Sequence, residues 1–233
     1  MEGSLFGREN YEIKTEENLE NELTNILQNQ KDITFISMSS QNIDRFVSLY
    51  KSARKTGKTL VIDLYTAYIM RKLNEIGAKL PQADWNNIRI FYYHSHCKQL
   101  DKLNEEKFIY HCAKKQIKIP EIIKERKNIC LLFRDNSVCR KICDKLQDVL
   151  NSVFVHSMWE GNLTDDFKEY LKTKKFKFQH LHISGHAAID DLKRFANALK
   201  PKYLIPVHTN HPDNFSELYH SIKKINDREI CQL

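Results

Sequence analysis

Five of the ten histidines in this 233-residue chain fall between positions 180 and 211. Imidazole titrates near neutral pH and ligates metals through either nitrogen, so such a cluster points to acid/base or metal chemistry. His186 follows Ser184-Gly185, and His208 directly follows the apolar run Tyr203 to Val207. Each stands where a strand is expected to end. In an open parallel sheet ligands bind at the carboxyl ends of strands, and a right-handed strand, helix, strand unit sets two such ends side by side. His186 and His208 are therefore expected to converge on one site, as metal ligand or as acid/base group. His180 and His182 alternate and should face the same side of a strand over 181–184 and its approach. His180 and His211 read more simply as hydrogen-bonded structural side chains, and His94, His96 and Cys97 lack a further metal ligand at a suitable spacing.

The elements that must position these residues are legible as apolar runs of strand length at 33–38, 60–65, 88–93, 129–133, 153–155, 181–184 and 203–207. Helical stretches separate them. Ile43, Phe46, Val47, Tyr50 and Ala53 share one helical face closed by Gly57, and Ile189, Leu192, Phe195, Ala196 and Leu199 repeat the pattern before Pro201. Short buried strands alternating with helices predict an α/β fold with a largely parallel sheet. The seam is expected at the Lys-rich stretch 172–177, after which histidine becomes frequent.

Composition narrows the class. Lys and Arg total 37 against 30 Asp and Glu, a net charge of +7, which fits a polyanionic partner without requiring one. No apolar run approaches the roughly 18 residues of a membrane span, and the opening residues lack the pattern of a secretory signal, so a cytoplasmic protein without membrane contact is expected. The six cysteines are scattered and read as reduced, mostly buried thiols. With six glycines and no GxGxxG motif, a free-standing Rossmann-like small-molecule binder is the weaker alternative.

Two segments carry a resemblance. His182-Ile-Ser-Gly-His186-Ala and the later Pro-Lys-Tyr-Leu-Ile-Pro-Val-His208-Thr resemble the closing segment of metallo-β-lactamase-fold hydrolases of the β-CASP group, of the ribonuclease J-like kind. Met1-Glu2-Gly3-Ser4 resembles the group's first β-CASP motif. Ser39 to Arg45, Val61 to Ala67 and Ser157 to Gly161 look like parts of the inserted β-CASP domain, so the resemblance spans nearly the whole chain. It implies a Rossmann-like β-CASP domain followed by the C-terminal βαβ part of a metallo-β-lactamase fold, an incomplete sandwich. The implied domains are 1–9, the end of a first metallo-β-lactamase segment; 10–175, the β-CASP domain; and 176–233, the C-terminal segment with the RNA-specificity motif.

By the same resemblance His208 is a zinc ligand and His186 is the catalytic histidine that protonates the leaving oxygen or steadies the scissile phosphate. Glu2 orients His186. His182 and Ser184 lie along the phosphate path, and Ser39 and Ser40, ahead of a helix, bind substrate or simply cap that helix. The group's His-x-His-x-Asp-His metal cage has no counterpart in this chain. The resemblance thus implies the carboxy-terminal part of a zinc-dependent ribonuclease-like hydrolase that needs two zinc ions. That part is expected to be inactive until a missing metallo-β-lactamase half joins it in cis or in trans. RNA is the expected partner, and a homo-oligomer is allowed. The alternative is a non-catalytic RNA-binding or partner subunit, a pseudoenzyme or one half of a split enzyme.

Overall fold

Strands whose alternate side chains feed two separate cores make up the larger of two units, Thr15–Ile183. The computed structural model describes residues 1–7, 14–146, 151–183, 185–226 and 228–230. In this unit the order is α1 (Glu16–Asn29), β1 (Thr34–Ser37), α2 (Ile43–Lys55), β2 (Thr59–Asp63), α3 (Leu64–Glu75), β3 (Ile88–Phe91), α4 (His94–Lys102) and α5 (Glu106–Ala113). There follow β4 (Gln116–Ile117), α6 (Ile119–Lys124), β5 (Ile129–Leu132), α7 (Ser137–Lys145), β6 (Val153–His156), α8 (Asp165–Thr173) and β7 (Lys177–His180).

The seven strands form one all-parallel sheet in the order β4-β3-β2-β5-β1-β6-β7, a Rossmann-like α/β fold. Cys130 and Leu132 of β5 point to one face with Leu19, Phe46, Leu64 and Phe108 from the helices. Ile129 and Leu131 point to the other with Ile122, Ile142 and Phe167. Side chains of this size contribute about 1.5–3 kcal/mol each when removed from water, which is why central strands read as unbroken apolar runs.

Local sequence signals fix the helix ends. Asn42 caps α2 by accepting from the Arg45 N–H at 3.0 Å, and Asp63 caps α3 by accepting from the Thr66 N–H at 2.7 Å. Gly57, at φ 68°, takes the left-handed position that ends α2. On α2, Phe46, Leu49, Tyr50 and Ala53 are buried, and so is Arg45 at 1% exposure. Its guanidinium meets Glu16 at 3.0 Å and the Ser157 hydroxyl at 2.5 Å, tying α1 and α2 to the loop after β6.

The strands expected at 33–38, 60–65, 88–93, 129–133 and 153–155 are present, with ends shifted by one or two residues. The strand expected over 181–184 lies earlier, at Lys177–His180, where it pairs in parallel with β6. It was hidden because all four of its residues are exposed and only Phe178 is apolar. The seam between the units accordingly falls after Ile183 and past the Lys-rich stretch.

The smaller unit, Met1–Lys14 with Ser184–Leu233, contains α9 (Ile189–Leu199) and a 3₁₀ turn at Pro212–Glu217. Its core is Phe6, Leu192, Ala196, Leu204, Phe215, Leu218 and Tyr219. The strand expected over 203–207 is not a ladder strand. Leu204 and Val207 instead make single-residue bridges to Ile222 and Glu2, because the described residues of this unit offer them no further strand. The closing βαβ piece of a sandwich is therefore not formed here as strands. Phe195 and Leu199, expected on the buried face of α9, are 56% and 60% exposed; Leu192 and Ala196 of that face are buried and Ile189 is half-buried against the same core.

Candidate functional site

The opening residues are held where the small unit can use them. The Val207 N–H donates to the Met1 carbonyl at 2.9 Å, which lays Glu2 parallel to Val207, and Phe6 packs on Phe215 with ring centroids 4.8 Å apart. Gly3 is required at this contact: a Cβ there would stand 2.4 Å from the Phe215 ring. Gly7, at φ 77°, sits so close to His211 that a Cβ would come within 2.2 Å of its Nε2.

These contacts bring together residues 184 and more positions apart in the sequence. The Glu2 carboxylate lies 3.2 Å from His186 Nδ1, and the His186 and His208 rings are 6.0 Å apart between centroids at 64° to each other. Ser4 adds a partner the sequence did not disclose, since its hydroxyl lies 3.3 Å from His208 Nδ1. His208 itself adopts φ 54°, in the left-handed region that few residues other than Gly, Asn, Asp and His hold. Ser4, His186, His208 and His211 line a cleft of about 550 Å³.

Charge in the cleft is set by Glu2. Burial raises its carboxyl, but hydrogen bonds from the Ser4 hydroxyl, the Ser4 N–H and the Ala187 N–H, together with nearby His186, outweigh burial and hold it below the usual carboxylate range. Two of these bonds span 3.2 Å from Ser4 N and 3.0 Å from Ala187 N. An ionised Glu2, 3.2 Å from His186 Nδ1, is placed to accept from that nitrogen and to orient the ring. Such an arrangement can transfer a proton to a leaving oxygen or bind an anionic group.

The remaining residues singled out in the sequence stand elsewhere. His182 belongs to the larger unit, half-buried, with Nδ1 enclosed and without a hydrogen-bond partner among the described residues. Burial, then Arg45, His180 and His156, lower its pKa against a smaller opposing effect of Glu16. Its ring is 6.0 Å from that of His180, so the two do share a side. Ser184 lies outside the described residues. Ser39 is exposed and accepts from the Gln41 N–H at 3.2 Å, whereas Ser40, 3% exposed, bonds Thr66 at 2.6 Å and Arg134. Neither serine caps α2, because Asn42 does. Ser40 braces the strand ends and presents almost no surface to a ligand.

Among the described residues no group of three or more His, Cys, Asp and Glu side chains is placed to hold a metal ion. A hydrolytic zinc site takes three protein ligands. His208 with the Glu2-bound His186 does not supply that set, so these residues by themselves do not fit a zinc centre. No helix among the described residues is long and apolar enough to cross a membrane.

Comparison with known proteins places this geometry. No curated protein matches the chain. A crystal structure of a protein of unknown function from Enterococcus faecalis V583 matches with a TM-score of 0.66 at 22% identity, covering 97% of this chain and 48% of that one. The chain thus spans about half the length of that protein, and the likeness establishes the fold. Residues 173–226, which hold His182, His186 and His208, match the model of the Zn-dependent metallo-hydrolase RNA specificity domain. This segment therefore carries the RNA specificity domain of zinc-dependent metallo-hydrolases, in kinship with RNA-processing enzymes of that class.

Proposed function

We propose that this chain is the carboxy-terminal part of a metal-dependent hydrolase that cleaves phosphodiester bonds in RNA. In this reading the larger unit is the inserted β-CASP domain. The smaller unit closes the catalytic domain, and Val207 and Leu204 mark where its sheet continues into other protein material. The observation that carries the reading is the Glu2–His186 pair beside His208, assembled from three distant segments in one cleft. Nδ1 of His186 is held by Glu2, and Nε2 gives a proton to the leaving oxygen or binds the scissile phosphate. His208 contributes a single imidazole toward the metal centre that other protein material completes.

The test uses the purified 233-residue chain. It is expected to hold well under one zinc per chain by elemental mass spectrometry and to leave single-stranded RNA uncut in zinc-containing buffer. Stoichiometric zinc with robust cleavage refutes the assignment. The absence of a three-ligand group among the described residues also favours a second reading, a non-catalytic RNA-binding subunit or one half of a split enzyme. Co-expression with a protein carrying the His-x-His-x-Asp-His motif separates the two, since only the split enzyme gains activity.

A further inference from the structure

β7 is an unusual edge for a parallel sheet. Its four residues Lys-Phe-Gln-His are all exposed, while the paired β6 residues Val153 to His156 are all buried. Phe178 lies parallel to Phe154, with centroids 6.4 Å apart and 9° between the planes, and His180 lies over His156 at 5.7 Å and 28°. The Phe178 ring is thus backed by Phe154, whereas His180 has both His156 and His182 stacked on it, the latter at 6.0 Å and 18°. His180 Nε2 bonds the Met158 carbonyl at 2.9 Å, and the next residue in the chain, Trp159, is 67% exposed and seated against Gly161. A Cβ at Gly161 would come within 2.3 Å of that indole.

Cations continue the same strip. Lys172, Lys175 and Lys177 are exposed, while Lys174 is paired with Asp144 at 2.6 Å. Lys177 also lines a cleft of about 470 Å³ together with Lys31, Arg126 and Lys127. The one carboxylate in that lining, Asp32, is bonded to Arg126. Backed rings in series beside unneutralised lysines are the pairing that holds an unpaired polynucleotide, bases on rings and phosphates on ammonium groups.

We propose that the β7 edge is a binding platform for single-stranded RNA, with bases stacking on Phe178 and Trp159 and the backbone running past Lys177 toward Lys31 and Lys127. This rests on the reading of the chain as RNA-binding and adds a surface separate from the His186 cleft. Duplex RNA, whose bases are already stacked, binds it more weakly, and base identity matters little.

The experiment is a titration of the full chain carrying Trp85→Phe, which leaves Trp159 as its one indole, with twelve-nucleotide oligo-U and oligo-A RNA. Both are expected to quench Trp159 emission. Phe178→Leu, which keeps an apolar side chain over Phe154 but removes the ring, weakens binding about tenfold with an unchanged melting temperature. Lys177→Gln lowers the slope of log affinity against log salt by about 0.7. RNA binding that is indifferent to both substitutions overturns the platform and leaves the RNA reading standing. No binding of any RNA overturns both.

Discussion

Replacing Glu2 by Gln tests whether the carboxylate organises the histidine cleft. The side chain keeps its length but loses its charge, its pairing with His186 at 3.2 Å, and one of the acceptor oxygens now shared between the Ser4 and Ala187 N–H groups. A hydrogen bond to a charged group is worth about 1.5–3 kcal/mol when well enclosed. Both side chains are about a third exposed, at 29% for Glu2 and 34% for His186, so solvent screening reduces the combined loss to about 1–1.5 kcal/mol. The Ala187 amide should therefore exchange its hydrogen about tenfold faster in the variant at pH 7, read by amide exchange in NMR. Because the folded carboxyl lies below its ordinary 4.5, the stabilisation is complete above that value and is lost as pH falls through the lower folded one. The ratio of exchange rates between variant and wild type should accordingly fall to unity in acid. Equal exchange at pH 7, or a ratio that persists below about pH 2, refutes the argument.

Other outcomes follow from particular contacts. His208→Gly should melt higher than His208→Ala, by a difference of about 1 kcal/mol, because only glycine holds φ 54° without strain; thermal unfolding of the two variants decides it. Gly3→Ala should cost about 1–3 kcal/mol by driving a methyl into Phe215, read as a lower melting temperature with Tyr219 and Phe215 NMR signals shifted. Arg45→Ala should destabilise the larger unit by about 2–4 kcal/mol, since it empties a buried site and removes the guanidinium bonded to Glu16 and to the Ser157 hydroxyl and carbonyl; urea titration measures it. Burial is the largest influence on both His156 and His182 and lowers their pKa, so these rings resist protonation. Their stabilising contribution is complete above the ordinary histidine value of 6.5 and declines as pH falls through the lower folded values. Urea midpoints should thus drop between pH 7 and pH 5, and less so in His156→Gln.

Where apolar periodicity and burial coincide, sequence and structure agree. Ile33 to Met38, Ile129 to Phe133 and Val153 to Val155 announce the central strands because both faces of each are covered by helices. The approach of Glu2 to His186 was legible only through family resemblance, since nothing in local spacing links residues so far apart. β7 was illegible because an exposed edge strand need not be apolar, and its Lys-Phe-Gln-His resembles a helix end. Tyr203 to Val207 has strand composition, yet composition cannot provide the neighbouring strand that a ladder needs. Ser39 and Ser40 sit at a capping position by type, but Asn42 is one turn closer to the first free N–H groups and takes the cap. The Ser4 contact with His208 depends on the left-handed backbone at His208, which no residue type announces.

The sheet order has a kinetic consequence. β1 is flanked by β5 and β6, so that Thr34 pairs with Cys130 on one side and Val153 on the other. A chain emerging from the ribosome must therefore synthesise about a hundred further residues before this interior strand finds either neighbour. Closure of loops that long is slow, and until it happens the nascent segment exposes two bare hydrogen-bonding edges. Helices α1 and α2, which pack on each other and enclose the Leu19 and Phe46 side of β1, are the one local shelter available during that wait.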